Sequence, residues 1–539
     1  MIRKMSKNNK IFIRESSGLV RQFGILDAAG KVMNIMLPLA AFYTLLYAPG
    51  IPGADNFGLS ALIGVLFAIP PFYIYLRLSE LIPRSSGEYI YISRFLHPMI
   101  GTIQGITTII GMTMFTASLI IQLTVIAGLI PLLQILGLAF KSIYLINLGN
   151  LVLTNPFYML IVSEIFVLIY GIIISINNKI LSKTVVISLV VGQILGTIII
   201  SGIFLIGGNK LFASSFNQIN SQYGYTITYC ELFQKGITMV SPLNFNGTLI
   251  MAILLWLWIL AWFIGPSYFA GEFRGGKNTI RRGMILGWLI GAILLVLISF
   301  SSEYALKLPF FEYSSLNGWG NIPLSFNEGF VIWAGLMVHS NPMLLIIIGI
   351  TNFIAEFAIN AILLALATRV MLAMSFDRLL PEFLSKVSTK GIPIWASLIS
   401  IIITAIWTYA QTVGGFAITP IGIIILIVIY QMVPAVLSSI FMVLKNNNII
   451  NLSNKERIKI FAIGIVATTD LLFSAIVVLF YGFINPIYGS FVFAGNSLDT
   501  ILTIVSIPLV GSLLYYIMKK YREGQGINIG LAFKELPPE

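Results

Sequence analysis

Runs of roughly twenty apolar residues recur along this whole chain, separated by short polar loops, and these blocks limit its fold more than any other feature. A helix of roughly 20 residues is what the hydrocarbon layer of a bilayer demands, because lipid offers the backbone no hydrogen-bonding partner. The blocks predict twelve spanning helices, at 24–47, 58–81, 100–136, 156–176, 184–207, 248–271, 284–302, 341–374, 394–412, 416–443, 459–483 and 499–518, the third broken near Pro131. Composition agrees: 58% of residues are hydrophobic, 10% are charged and the mean hydropathy is +0.94, outside the range of soluble domains. The expected fold class is therefore all-α and integral to the membrane.

Charge gives an orientation. One set of loops carries only Lys141, Lys210, Lys235 and Lys307, leaving the other 28 basic residues on or near the opposite side. Lysine and arginine flanking spans are retained in the cytoplasm, so both termini are expected there, in a plasma membrane. The +12 net charge then meets anionic lipid headgroups at positions such as Arg281, Arg282, Lys519 and Lys520, and no nucleic-acid partner is expected. No apolar region opens the chain at Met1–Arg21, so no cleaved signal is expected. The single cysteine, Cys230, reads as a free thiol.

Two spans carry breaks. In the first, Asn34-Ile35-Met36-Leu37-Pro38 puts a proline in mid-helix, which removes a backbone donor and disrupts the preceding turn. In the sixth, Phe263-Ile264-Gly265-Pro266-Ser267 sets glycine beside proline. Irregular backbone at this depth survives only where protein or a water-filled cavity satisfies it. Spans one and six are corresponding positions in a five-plus-five inverted repeat, with half-helix ends meeting at the midplane around a substrate. One end favours a carboxylate and the other an ammonium, which suits a zwitterion. The candidate substrate-binding residues are Met36, Leu37, Pro38, Leu39 and Ala40, with Trp262, Phe263, Ile264, Gly265, Pro266, Ser267 and Tyr268.

Three loops carry a resemblance. Leu81-Ile82-Pro83-Arg84-Ser85-Ser86-Gly87-Glu88-Tyr89-Ile90-Tyr91-Ile92-Ser93-Arg94 leads into the third span. Arg369-Val370-Met371-Leu372-Ala373 continues through Asp377 to Pro381 and then Gly391-Ile392-Pro393. Ala270-Gly271-Glu272 is followed by Lys277-Asn278. Over roughly residues 20–480 the chain resembles the amino acid/polyamine/organocation superfamily of permeases. The resemblance implies an amino acid or related amine gripped by helices one and six, with helices three, eight and ten completing the pocket and helices eleven and twelve outside the repeat. Where that family has Gly-x-Gly in helix one, this chain has Pro38-Leu39-Ala40, which removes an amide and adds a methyl group.

The expected domain organisation is a cytoplasmic segment 1–23, a transport core 24–443 made of repeats 24–207 and 248–443, two further helices within 444–518, and a cytoplasmic tail 519–539. The long loops 208–247 and 303–340 face outward, and the run Phe326–His339 reads as a short helix over the outer mouth. Glu164, Glu356 and Asp470 are acids at membrane depth, each a functional candidate by its cost. Asn352, Glu356 and Asn360 recur every fourth residue and form one polar stripe on the eighth span, a candidate for proton coupling. The fifth span holds no lysine, its clearest polar group being Gln193, so the lysine-linked proton mechanism of some relatives does not transfer. Thr351 and Thr368 are too few oxygens for a sodium site. Arg84, Arg369 and Asp377 sit at helix ends as a candidate cytoplasmic gate.

The sequence thus predicts a secondary transporter of amino acids working by alternating access, with proton symport, and no cofactor. An exchanger, a transporter-like sensor and a carrier of another solute such as a nucleobase are the alternatives. Two histidines, His97 and His339, form no metal or triad arrangement, so no enzyme is expected.

Overall fold

The computed structural model describes residues 17–537 except 47–50, 52, 55, 239–244, 318–325, 417, 446–449, 451, 486–488, 490–491 and 494–496. The basic stretch up to residue 16, the predicted end of the first span at residue 47 and residue 417 of the tenth lie outside the described residues.

Twelve helices among these residues are long and apolar enough to cross a membrane: α1 Ile25–Leu45, α2 Phe57–Leu81, α3 Pro98–Ala139, α4 Pro156–Ile176, α5 Asn178–Gln222, α6 Phe245–Tyr268, α7 Lys277–Leu306, α8 Pro342–Phe376, α9 Ile394–Thr412, α10 Pro420–Leu444, α11 Asn454–Ile484 and α12 Leu498–Gly524. Several starts are written in the sequence. Asn155 and Asn341 accept the amides of Phe157 and Leu344 at 2.9 and 3.1 Å, and proline follows each as the first helical residue. Ser453 and Glu456 close a capping box on α11.

Burial separates the inner helices from the outer ones. The apolar windows of α1 and α6 are 89% and 94% buried, against 17% for α12. On α4 the exposed side chains Tyr158, Ile161, Ile165, Leu168, Ile172 and Ile176 follow helical spacing, an apolar stripe on the outside of the bundle. Such a surface is stable only against lipid, so the protein is a multi-pass membrane protein.

The third span is not broken at Pro131. It runs continuously, with π-helical stretches at Thr107–Gly111 and Ile120–Leu129. The wide turns before Pro131 shift the hydrogen-bond register, so its missing amide falls at the start of the α-helical segment Ile130–Ala139 and breaks nothing.

The segments before α1 and after α12 pack at one end of the bundle, called here the terminal side. The amides of Gln22 and Phe23 donate to Glu272 O at 2.8 and 3.1 Å, just beyond α6. The Arg94 side chain, between α2 and α3, donates to Glu535 O at 3.3 Å. On the opposite side the run Phe326–His339 contains the helix Phe330–Met337, every residue of it buried. Its Phe330 ring lies 5.2 Å from Phe42 at the upper end of α1, and Trp333 lies 5.2 Å from Phe310.

Candidate functional site

The first α-helical half of α1 ends at Met36. Leu37 follows in the left-handed region, with φ 48° and ψ 73°, and Pro38–Ala40 form a single 3-10 turn before the helix resumes at Ala41. The break frees carbonyl groups, and one of them has a partner on another span: Trp258 Nε1 of α6 donates to Ala40 O at 2.9 Å. Trp258 is also where the first half of α6 ends. A 3-10 segment Leu260–Ile264 follows, with Trp262 at ψ 24°, and helix returns at Gly265–Tyr268 with Pro266 in its first turn. A Cβ on Gly265 would stand 2.6 Å from the Lys31 carbonyl, so only glycine lets α6 approach α1 this closely.

Between the two breaks lies a small cavity of about 10 Å³, room for about one water molecule. Ile35, Met36, Leu37 and Ala40 of α1 line it with Trp258, Ile259 and Trp262 of α6. Phe115, Leu119 and Leu123 of α3 and Ile359 of α8 complete the wall. Phe115 stacks on Trp262, with ring centroids 4.9 Å apart and planes 15° from parallel.

Of the residues expected to bind substrate, Met36, Leu37, Ala40 and Trp262 line this cavity. Pro38 and Leu39 lie buried in the turn beside them. Phe263 faces away, 5.5 Å from Phe72 and 5.2 Å from Tyr75 of α2. Ile264 is buried, its carbonyl accepting from Ser267 Oγ at 2.6 Å, and Gly265 and Pro266 form the restart beside Lys31. Tyr268 belongs to a polar cluster farther toward the terminal side, bonded to Glu88 and 3.1 Å from Gln104 Nε2.

The stripe on α8 faces α3. Asn352 Nδ2 donates to Ala127 O at 2.7 Å and Asn360 Nδ2 to Thr124 Oγ1 at 2.9 Å. Both acceptors stand in the π-helical stretch Ile120–Leu129 of α3. Glu356 is buried between them, with Oε2 lacking a hydrogen-bond partner. Gln193 of α5 likewise reaches α8, donating to Ala355 O at 2.9 Å. Asp470 bonds Ser474 of its own helix at 3.4 Å, and Glu164 is half-buried on α4.

Two of the expected gate residues are held by partners within the quoted loops. Arg369 grips Glu272 in bidentate fashion, Nε to Oε1 and Nη2 to Oε2 both at 3.0 Å, and its Nη2 reaches Asn178 Oδ1 at 3.3 Å. Asp377 is gripped by Arg94 at 2.5 and 2.7 Å and accepts from Tyr89 at 2.6 Å. Arg84 stands half-buried at the start of the same loop.

Sequence reasoning passed over two groups. Phe115, Leu119, Leu123, Trp258 and Ile359 line the cavity but carry no signal to separate them from ordinary apolar span residues. Lys31 did carry one, a lysine inside the first span. It is fully buried, its ammonium 3.5 Å from the centre of the Phe23 ring and 4.7 Å from that of Phe269, without a hydrogen bond.

With the fold and cavity described, comparison with known proteins places the chain. A protein of Sulfolobus islandicus rod-shaped virus 1, named "Uncharacterized protein 399", is 24% identical over 507 residues, which cover 94% of this chain and 97% of that protein. Residues 23–513, from the start of α1 into α12, match the family described as amino acid permease. The chain belongs to the amino acid permease family, and it is a membrane transporter of amino acids or related solutes.

Proposed function

We propose that this permease carries neutral amino acids with apolar side chains across a plasma membrane by alternating access, in symport with protons, and with both termini in the cytoplasm. The observation that carries this reading is the cavity between the two helix breaks, whose wall is built from apolar side chains. A charged substrate side chain would be desolvated there without a partner, whereas an aliphatic or aromatic one would exchange water for the rings of Phe115 and Trp262. Met36 and Trp258 end their half-helices at the cavity, and the C-terminal end of a helix favours the ligand ammonium.

At about 10 Å³ the cavity is too small for an amino acid, and a substrate enters only when the walls part. The Phe115–Trp262 stack is the bulkiest contact in the wall. Replacing Phe115 by alanine is expected to move the preference toward bulkier apolar amino acids by about tenfold, the scale of one to two methylene groups in an apolar pocket. Competition for uptake between small and large apolar amino acids reads that shift. An unchanged order of preference would remove Phe115 from the specificity wall.

Symport requires a group that takes the proton, and among the described residues Glu88, Glu328 and Glu356 are buried acids that no arginine holds. The test of the function is uptake of a radiolabelled amino acid panel into proteoliposomes, with and without an inward proton gradient. Gradient-driven accumulation of leucine, isoleucine or phenylalanine supports the symport. Exchange in preloaded vesicles alone keeps the carrier and removes the coupling. Silence in both overturns the amino acid reading.

A further inference from the structure

Glu88 holds a carboxylate that the cavity does not use. It lies on the short helix Gly87–Tyr91 that leads toward α3, and its side chain is fully enclosed. Its Oε1 accepts from the Tyr75 hydroxyl of α2 and its Oε2 from the Tyr268 hydroxyl of α6. Gln104 Nε2 of α3 stands 3.2 Å from the same Oε2. Gln431 of α10, its amide oriented by the surrounding bonds, donates to Oε2 at 3.2 Å and accepts from the Thr108 amide at 3.3 Å. Donors from four spans thus converge on one acid. The buried arginines at this end are taken elsewhere, Arg94 by Asp377 and Arg369 by Glu272.

Acceptors crowd the Gln104 amide nitrogen. Gln104 Nε2 has two hydrogens but faces three acceptors: Glu88 Oε2, Thr108 Oγ1 at 2.9 Å and the Tyr268 oxygen at 3.1 Å. The amide's own Oε1 is buried without a donor. An unpaired buried acceptor and a buried carboxylate without a cation both cost free energy. A proton bound at Glu88 Oε2 removes the buried charge. The neutral carboxyl becomes a donor, and a half-turn of the Gln104 amide brings Oε1 to it.

We propose that Glu88 is the proton-binding residue of the permease: a proton taken at Oε2 loosens the bond to Tyr268 and frees the half-helix that follows the α6 break. Tyr268 ends that half-helix, so its bond to Glu88 ties the moving part of α6 to α2, α3 and α10. The other titratable groups here are Tyr75 of α2 and Tyr268 of α6, while α3 and α10 contribute only amides and the Thr108 hydroxyl. On the helix of Glu88 itself, Tyr89 is committed to Asp377 and Tyr91 lies 3.4 Å from Ser79 Oγ. From α8, the Arg369 carbonyl accepts from Ser86 while its guanidinium holds Glu272.

This inference rests on the symport reading above, and the experiment separates the two. Wild type, Glu88→Gln and Glu356→Gln are compared in proteoliposomes by counterflow of apolar amino acids, which needs no gradient, and by uptake driven by a proton gradient. Glu88→Gln is expected to keep counterflow, now independent of pH, and to lose gradient-driven accumulation by about tenfold or more. Glu356→Gln is expected to stay gradient-driven. Gradient-driven uptake by Glu88→Gln at the wild-type level overturns the assignment to Glu88, as does its loss in Glu356→Gln alone. No counterflow by wild type with any amino acid overturns the transport reading instead. Were Glu88→Gln not to fold, infrared difference spectra of wild type decide. Substrate must produce a carboxyl protonation signal that Gln104→Leu shifts in pH, and an unshifted or absent signal overturns the proposal.

Discussion

Methionine in place of Arg369 is expected to destabilise the solubilised protein by about 3–5 kcal/mol, because it leaves the Glu272 carboxylate buried without its cation. Both members of the pair are enclosed, with side-chain exposures of 1% and 0%, so water cannot take over. The loss extends past the ion pair. Arg369 also reaches Asn178 at the start of α5 and lies 4.7 Å from the centre of the Phe269 ring, so one guanidinium joins α8, the exit of α6 and α5. The double variant Arg369→Met with Glu272→Gln is expected to recover most of the stability, since it removes the stranded charge. Thermal unfolding of the purified variants in detergent reads both results. A single variant that melts with wild type, or a double variant worse than the single, would show that the pair is not the clamp.

Valine in place of Gly192 is expected to abolish a folded, monodisperse protein. A Cβ at this position would meet Ala355 N at 2.5 Å and its Cα at 2.6 Å, and these are backbone atoms of α8 that no rotamer change can move. Gly192 stands in the π-helical stretch Ser188–Gly196 of α5, where Ser188 Oγ donates to Ile354 O and Gln193 to Ala355 O, at 2.8 and 2.9 Å. Forcing α5 and α8 apart by the width of a methyl group breaks those bonds where lipid offers no replacement. Alanine brings the same Cβ and is expected to lose most of the folded yield, valine all of it. Size-exclusion profiles of detergent extracts distinguish the two, and a monodisperse Gly192→Val would disprove the close contact.

The breaks in α1 and α6 were legible because proline and glycine act locally. Pro38 lacks an amide wherever it lies, and Gly265-Pro266 weakens a helix in any context. Pro131 shows the limit of that logic. Its effect depended on the π turns before it, which are set by packing of α3 against α8 and have no signature in the residues themselves. The partners of the gate residues were hidden for a related reason. Glu272 and Arg94 both lay in recognisable loops, but Glu272 lies 97 positions from Arg369 in sequence and Arg94 lies 283 from Asp377. Nothing in either loop says which charge it will meet.

By itself the sequence determined that this chain lives in a bilayer, how many times it crosses, that spans one and six break, and to which family its loops are similar. Those properties follow from the length of apolar runs, the chemistry of proline and local motifs, all short-range quantities that neighbours in sequence decide. Tertiary structure alone decided that the two breaks enclose an apolar cavity capped by Phe115 on Trp262, that the α8 stripe bonds to α3, and that Glu88 gathers donors from four spans. Each depends on which face of one helix meets which face of another. In a chain where 58% of residues are hydrophobic, composition leaves that choice open, and close packing with satisfied polar groups makes it.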